Sequence, residues 1–363
     1  MIVWLVRVLT AVALVVITAL SIVFWSISSA AEGPAVDNDR IANSQLLSNL
    51  TERLAEQYPN LRALVLARSN CLFFEYYNKN TSVETQSHVY SVTKSVLSIL
   101  IGIARDQGYL HLDEKLSNVF PEEFDENVDP LAREITVRDL LTKTEGFAEA
   151  GEGDFKMSPP VAGKRNLWRW MLNRRVKYSR GTRFRYDGIG SDLLSVVLSR
   201  KIRQSAADFA KQKLFDPLHI DNYTWYVDSE EHLHGEFGLY LTARDMAKVG
   251  ILYLQHGRWG SSQIVSDEYV RDSTSKHNDG GPPIDTAYGY QWWIGKTNTN
   301  LDAFFAAGYK GQLIYVDPAQ NLVIAVSAES IPGGSRKLVA NVILPAVAQL
   351  SGPVSCAAQY GQD

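Results

Sequence analysis

Residues 90–108 read YSVTKSVLSILIGIARDQG, an apolar segment that ends at Gly108. Apolar side chains occur nearly all round a helix of this sequence, so we expect a helix buried in the centre of the protein. Ser91 and Lys94 are three residues apart and therefore share one face of the helix at its first turn. A buried lysine loses its proton readily, so Lys94 can activate the Ser91 hydroxyl as a nucleophile without a histidine.

The Ser-x-x-Lys pattern alone is weak, because both residue types are common. It also fits a serine that caps a helix and a lysine whose ammonium group reaches solvent. The chain contains a second copy, Ser273 to Lys276, followed by the glycine- and proline-rich residues 277–283. That composition is typical of a loop, so we expect the second copy to lie at the surface.

Strand-like runs lie near both ends of the chain. Residues 61–67 and 71–77 predict one hairpin, and residues 312–316 and 322–328 predict another. A terminal helix is expected at about residues 336–350, and the middle of the chain is rich in helical patterns. The sequence therefore predicts an α+β fold in which both chain ends build one antiparallel sheet, flanked by helices, with a helical lobe inserted between them.

Charge and cysteine content exclude several classes of protein. The 363 residues include 36 Lys+Arg and 40 Asp+Glu, a net charge of −4, which argues against a nucleic-acid partner. Cys71 and Cys356 are too few for a thiolate zinc site, but they can form one disulfide outside the cytoplasm.

The N-terminal segment is uncharged from residue 8 to residue 31. We interpret residues 1–31 as a transmembrane anchor or a cleaved signal peptide, residues 32–40 as a linker and residues 41–363 as the catalytic domain. The positive charge of Arg7 before this segment favours an N-terminus in the cytoplasm. The catalytic domain is then expected outside the cytoplasm, attached to the cell membrane or secreted.

Several stretches resemble the serine β-lactamase-related family. They are residues 90–95, 102–113, 135–142, 241–250 and 288–293. That family includes class C β-lactamases, D-alanyl-D-alanine carboxypeptidases, esterases and aminohexanoate-dimer hydrolases. The resemblance implies a β-lactamase/transpeptidase-like fold, Ser91 as the nucleophile and Lys94 as its partner, with no metal or organic cofactor.

The resemblance also implies a tyrosine that exchanges protons with the lysine. Tyr186 lies 95 residues after Ser91, in the sequence GTRFRYDG of residues 181–188, and is the candidate. A neighbouring cation lowers the pKa of a phenol toward a useful range. Which of Lys94 and Tyr186 accepts the proton during acylation stays open.

The third family motif departs from the lactamase pattern. Lys296-Thr297-Asn298 resembles the expected Lys-Thr-Gly, but residues 295–300 are polar and predict a turn. Residues 306–309 followed by Lys310-Gly311-Gln312 resemble the aminohexanoate-dimer hydrolase branch instead. Carried over, Gly308 lets the substrate lie close to the strand, and the backbone N–H groups of Ser91 and Tyr309 form the oxyanion hole.

Ten basic residues and no acidic residue occur between Phe155 and Tyr186. They form either a positive rim that attracts anionic substrates or membrane lipids, or an ordinary solvated face, which is the commoner outcome.

Together these features predict a serine hydrolase that cleaves small amide or ester substrates through an acyl-enzyme on Ser91. The alternatives are a cell-wall-type carboxypeptidase or β-lactamase, and a membrane-anchored sensor that binds or acylates without turnover. The sequence leaves the physiological substrate and the oligomeric state open.

Overall fold

The computed structural model of the protein describes residues 33–124, 126, 128–148, 167–295, 303–352, 354 and 356–360. The expected anchor or signal, residues 1–31, and the Lys296-Thr297-Asn298 sequence lie outside the described residues. Within the described part of the chain, no helix is long and apolar enough to span a membrane.

The described helices are α1 (Gly33–Gln57), α2 (Val92–Asp106), α3 (Leu116–Val119), α4 (Val137–Thr142), α5 (Leu167–Leu172), α6 (Ile189–Ile202), α7 (Ala206–Ala210), α8 (Ala243–Leu254), α9 (Asp267–Ser273), α10 (Ser335–Leu338) and α11 (Leu344–Val347). A π-helical turn at Val339–Ile343 joins the last two, close to the predicted terminal helix. Residues 33–40 belong to helix α1, where the sequence predicts a linker.

The described strands are β1 (Leu61–Arg68), β2 (Cys71–Tyr77), β3 (Ser87–His88), β4 (Thr224–Trp225), β5 (Leu239–Leu241), β6 (Arg258–Trp259), β7 (Ser262–Gln263), β8 (Asn278–Gly281), β9 (Thr286–Tyr288), β10 (Trp293–Ile294), β11 (Phe304–Gly308), β12 (Gln312–Asp317), β13 (Leu322–Ala328) and β14 (Ala358–Gln359). Nine of them form one sheet in the order β14-β2-β1-β13-β12-β11-β10-β9-β8, and its strand pairs are antiparallel. The predicted α+β fold with a sheet built from both chain ends is confirmed, because β1 pairs with β13.

The chain divides into two compact units. The larger spans Arg53–Leu344 and the residues from Cys356 onward. The smaller contains the described residues before Arg53 and those of Pro345–Ser355. Inside the smaller unit, the Asn43 side chain donates to the Ser351 carbonyl at 2.7 Å and accepts from the Ser351 N–H at 3.1 Å.

Helix α2 occupies the interior of the larger unit, as expected. All its residues from Val92 to Ala104 are buried, and Gly108 follows the helix with a φ of +75°, a conformation that favours glycine. Every residue of β12 and β13 is also buried, so both faces of the sheet are covered. On one of them, Gly250 lets α8 approach closely, because a Cβ at this position would lie 2.6 Å from Val323.

Two of the stretches that resemble the family begin helices. Thr136 forms a capping box with Asp139 at the start of α4, and Thr242 accepts from the Asp245 N–H at the start of α8. Such caps stabilise a helix by about 1 kcal/mol each. These residues therefore contribute to the fold, and their roles are structural.

Cys71 and Cys356 form a disulfide with a Cα–Cα distance of 5.3 Å. The bond lies next to the pairing of β14 with β2, at one edge of the large sheet. It therefore attaches the C-terminal segment to the N-terminal hairpin.

Candidate active site

Ser91 stands between a short strand and the buried helix. Strand β3 ends at His88, and Tyr90 adopts a φ of +48°, an uncommon conformation for a residue with a side chain. Ser91 then occupies the N-cap position of α2, yet its hydroxyl makes no capping hydrogen bond. The serine is half-buried, so its hydroxyl is available for other contacts.

Lys94 is 1% exposed, which excludes a lysine that extends to solvent. Its Nζ donates to Ser91 Oγ at 3.3 Å and to the Glu236 carbonyl oxygen at 2.8 Å. Burial lowers the pKa of the Lys94 amine, and the charge of Glu236 raises it in part. The structure thus brings the two predicted residues together, with the lysine in surroundings that disfavour its charged form.

Tyr186 joins this pair. Lys94 Nζ lies 5.3 Å from the centre of the Tyr186 ring, and Trp293 packs against the same ring with a centroid distance of 5.1 Å. Burial raises the pKa of Tyr186 to about 12, although its hydrogen bond with the Ser91 side chain lowers it. The phenol is therefore neutral at pH 7 and can both accept and donate a hydrogen bond.

Lys143 is a second fully buried lysine near Tyr186. Its Nζ donates to the Asp187 carbonyl oxygen at 2.8 Å and to Ser191 Oγ at 2.7 Å, so it holds the residue that follows Tyr186. Burial lowers the pKa of Lys143. Burial also raises the pKa of the neighbouring Glu145 to about 8, with a further contribution from Asp187.

Asp192 and Glu236 shape the side of the site that holds Lys94. Asp192 Oδ1 accepts from the N–H groups of Gly235 and Glu236 at 2.9 and 3.0 Å. These bonds fix the backbone just before the Glu236 carbonyl oxygen, which accepts a hydrogen bond from Lys94. Burial and the charge of Glu236 raise the pKa of Asp192 to about 7.

Gly308 and Tyr309 lie where β11 ends, next to the segment that precedes Ser91. A Cβ at Gly308 would lie 2.3 Å from the Val89 carbonyl oxygen, so glycine lets the strand approach the segment before Ser91. This contact is with the protein's own backbone. It explains why residue 308 is a glycine without reference to a substrate. Tyr309 is 62% exposed, and its ring meets Tyr90 edge-on at 5.5 Å. Its N–H as half of an oxyanion hole stays a prediction.

The second Ser-x-x-Lys sequence forms no comparable pair. Ser273 donates to the Val270 carbonyl oxygen at 2.9 Å, whereas the exposed Lys276 pairs with Asp279 at 2.5 Å. This outcome agrees with the expectation for Lys276, although Ser273 itself is buried at the end of α9.

Several basic side chains of residues 155–186 bind other groups of the same protein. Three arginines of this segment are engaged: Arg174 donates to the Ala148 carbonyl oxygen, Arg180 to Asp139 and Arg185 to Asp187. Lys164 and Arg165 lie outside the described residues. The two ion pairs, of Arg180 and Arg185, favour the structural interpretation for these residues over a substrate-attracting rim.

Sequence reasoning missed Glu236, Asp192, Lys143 and Glu145. Lys143 and Glu145 directly follow one of the stretches that resemble the family, and this is the signal that points to them. Glu236 and Asp192 carry no local motif, because they meet only through folding.

Gln291 lies within one of the stretches that resemble the family. Its side chain donates to the Leu140 carbonyl oxygen and accepts from Ser191.

Comparison with known proteins agrees with this fold. The Beta-lactamase family model matches residues 47–347. The 6-aminohexanoate-dimer hydrolase of Paenarthrobacter ureafaciens is 23% identical over 323 residues, which cover 80% of this chain and 77% of that protein.

Solved structures give the same result. An octameric penicillin-binding protein homologue from Pyrococcus abyssi is 18% identical, with a TM-score of 0.66 and coverage of 84% of this chain and 77% of that one. A family VIII carboxylesterase is 14% identical, with a TM-score of 0.67 and coverage of 85% and 98%. The family match spans most of the chain, from before the first strand to the last helix, and places the buried serine–lysine helix within it. The chain therefore belongs to the β-lactamase family of hydrolases and related penicillin-binding proteins.

Proposed function

We propose that the protein is a serine hydrolase that cleaves amide or ester bonds through an acyl-enzyme on Ser91. One observation carries the proposal. The half-buried Ser91 hydroxyl contacts the fully buried Lys94 amine at 3.3 Å and forms a hydrogen bond with Tyr186. Lys94 and Tyr186 thus both contact Ser91 Oγ, and the three groups can exchange one proton.

The reaction begins when Ser91 Oγ attacks the substrate carbonyl carbon and its proton passes to the Lys94–Tyr186 pair. The new C–O bond turns the carbonyl oxygen into an oxyanion, for which the N–H groups of Ser91 and Tyr309 are the candidate donors. The tetrahedral intermediate collapses, the pair returns the proton to the leaving amine or alcohol, and the acyl group stays on Ser91.

Hydrolysis of the acyl-enzyme repeats these steps with water. The pair removes a proton from a water molecule that attacks the ester carbon, and then returns the proton to Ser91 Oγ. The chain's own residues thus supply each proton transfer in both halves of the reaction.

A β-lactam carries a carboxylate that a lysine on the strand beside the site would bind. Substrates without this carboxylate suit the present site better. No lysine lies on β11, and Lys310 just beyond it pairs with Glu329 at 2.6 Å. This observation favours an amidase or esterase over a carboxypeptidase or β-lactamase. The disulfide supports our proposal that the catalytic domain works outside the cytoplasm, because such bonds persist in oxidising compartments.

Intact-mass spectrometry tests the proposal directly. The full chain and its Ser91→Ala variant are mixed with an activated ester, a linear aminohexanoate amide and a penicillin. We expect a transient acyl adduct and released product with the ester or amide, and neither with Ser91→Ala. A permanent adduct would instead favour a sensor, and unchanged turnover by Ser91→Ala would overturn the proposal.

A further inference from the structure

The Glu236 carboxylate lies at the edge of the candidate site, against Gly188. A Cβ on Gly188 would lie 1.8 Å from Glu236 Oε2, so the absence of a side chain at residue 188 makes the space for this carboxylate. Gly188 is two residues after Tyr186 and precedes helix α6. The backbone of the same glutamate binds Lys94 at 2.8 Å, so both ends of Glu236 are close to the reacting groups.

The charge of Glu236 acts on both members of the proton-transfer pair. Among nearby charges it has the largest effect in raising the pKa of Lys94, and it also raises the pKa of Tyr186. A carboxylate that influences both groups lies near both of them, as its contact with Gly188 also indicates. Glu236 is only half-buried, so a bound substrate can reach it.

The Glu236 carboxylate has no partner among the described residues and is accessible, whereas the other unpartnered carboxylate near the site, Glu145, is buried. Asp187 pairs with Arg185 at 2.9 Å, and Asp192 accepts two backbone N–H groups. No hydrogen bond or ion pair within the described part of the chain involves Glu236 Oε1 or Oε2. A half-buried carboxylate of this kind is stabilised by any cation that displaces its water.

We propose that Glu236 is a specificity-determining residue that favours substrates with a positively charged group, such as an alkylammonium, near the scissile carbonyl. The inference rests on the proposed acyl-enzyme function and names the substrate class for the same site. A cation on the substrate gains attraction from Glu236, while an anion meets repulsion there. Arg185, which lies next to Tyr186, is already paired with Asp187.

A structural role is the competing explanation. A carboxylate near the N-terminus of α6 also gains from the helix dipole, and in that case its replacement would lower stability without changing substrate preference. The two explanations therefore differ in what they predict for selectivity.

The test compares three p-nitrophenyl esters of similar size. Their acyl groups are 4-(trimethylammonio)butanoate, its neutral isostere 5,5-dimethylhexanoate, and glutarate with one free carboxylate. We expect the wild-type kcat/KM to favour the cationic ester over its isostere by about tenfold and to disfavour the anionic one, as charges several ångströms apart at a protein surface predict. High salt should reduce both ratios.

In Glu236→Gln we expect the cation-to-isostere ratio to fall to about one, with the anionic ester improved. The control is Glu268→Gln, which removes an exposed carboxylate that pairs with Arg105 and should keep the wild-type ratio. If Glu236→Gln leaves the substrate ratios unchanged, with or without a lower melting temperature, the inference is overturned. The proposed function still stands in that case, provided that turnover depends on Ser91. Ester cleavage that does not depend on Ser91 would overturn the proposed function and this inference together.

Discussion

Lys94 Nζ lies 3.3 Å from Ser91 Oγ and closer, at 2.8 Å, to the carbonyl oxygen of Glu236. A neutral amine has two N–H groups and one lone pair. When the carbonyl oxygen accepts one N–H, the amine is oriented and its lone pair stays available for the serine proton. The backbone of residue 236 therefore holds the Lys94 amine in an orientation that suits the proposed proton transfer.

Replacement of Lys94 by methionine should separate activity from stability. We expect Lys94→Met to lower the rate of acylation by about 10³-fold or more, because the serine loses its proton acceptor. The melting temperature should rise, because a buried amine is replaced by an apolar side chain of similar length. Adduct formation followed by mass and thermal unfolding followed by circular dichroism measure the two effects. A variant with lower stability and unchanged acylation would contradict this assignment.

Tyr186→Phe removes only the phenol oxygen. We expect kcat to fall by about 10²- to 10⁴-fold, the usual contribution of a positioned proton-transfer group. Tyr288→Phe is the matched control, since Tyr288 is buried and meets the Tyr186 ring edge-on at 6.1 Å. Equal losses in the two variants would show that ring packing, and not proton transfer, explains the effect.

The pH profile of kcat/KM should follow the Lys94 amine. Because burial lowers the pKa of Lys94, activity should rise with pH and level off below the ordinary lysine pKa of about 10.4. Tyr186, with a pKa raised to about 12, stays neutral throughout this range. Glu236→Gln removes a negative charge that raises the pKa of Lys94, so the rising limb should move to lower pH. A shift to higher pH would contradict the assignment of this limb to Lys94.

Glu145→Gln should stabilise the protein in a pH-dependent way. Burial raises the folded-state pKa of Glu145 to about 8, whereas an unfolded glutamate has a pKa of about 4.3. Between these values the folded state binds one more proton, so stability falls as pH rises through this window. The gain in melting temperature from Glu145→Gln should therefore be larger at pH 8.5 than at pH 5, by about 2 °C or more.

Glu329→Gln should change stability in the opposite direction, and it serves as the control for Glu145→Gln. The hydrogen bond from Lys310 lowers the pKa of the Glu329 carboxyl, so this group contributes stability above its unfolded pKa. The amide variant should be slightly less stable than the wild type at neutral pH.

Reduction of the Cys71–Cys356 disulfide should lower the melting temperature. The bond closes a loop with a sequence separation of 285 residues, for which chain entropy predicts a loss of up to about 6 kcal/mol. The double variant Cys71→Ser, Cys356→Ser should resemble the reduced protein and should not respond to reductant. Identical unfolding of the oxidised and reduced wild type would contradict a stabilising role.

The strands at both ends could be predicted because their residues form short, mostly apolar runs with turn residues between them. Strand β13 matches its predicted bounds, and β1 extends the predicted strand by one residue. Ser91 and Lys94 could be found because three-residue spacing at the start of a buried apolar helix places their side chains on one face. Tyr186 required the family resemblance, since its contact with Lys94 depends on tertiary structure.

The rest of the site depends on contacts that no short pattern encodes. Glu236 reaches Lys94 and Gly188 from a different part of the chain, so its role emerges only when three segments meet. The two-residue strands β3 and β4 are too short to show an alternating pattern. The helical conformation of residues 33–40 differs from the expected linker because the local composition allows both outcomes.

The pairing of β1 with β13 also constrains how the protein is made. During synthesis β1, β2 and the helix that carries Ser91 and Lys94 leave the ribosome long before Leu322–Ala328. Until the last strands arrive, β1 has an open edge on one side and the serine helix lacks the sheet that it packs against. A nascent chain that stops short of β12 would therefore need protection from aggregation, and hydrolytic competence would be acquired only near the end of translation.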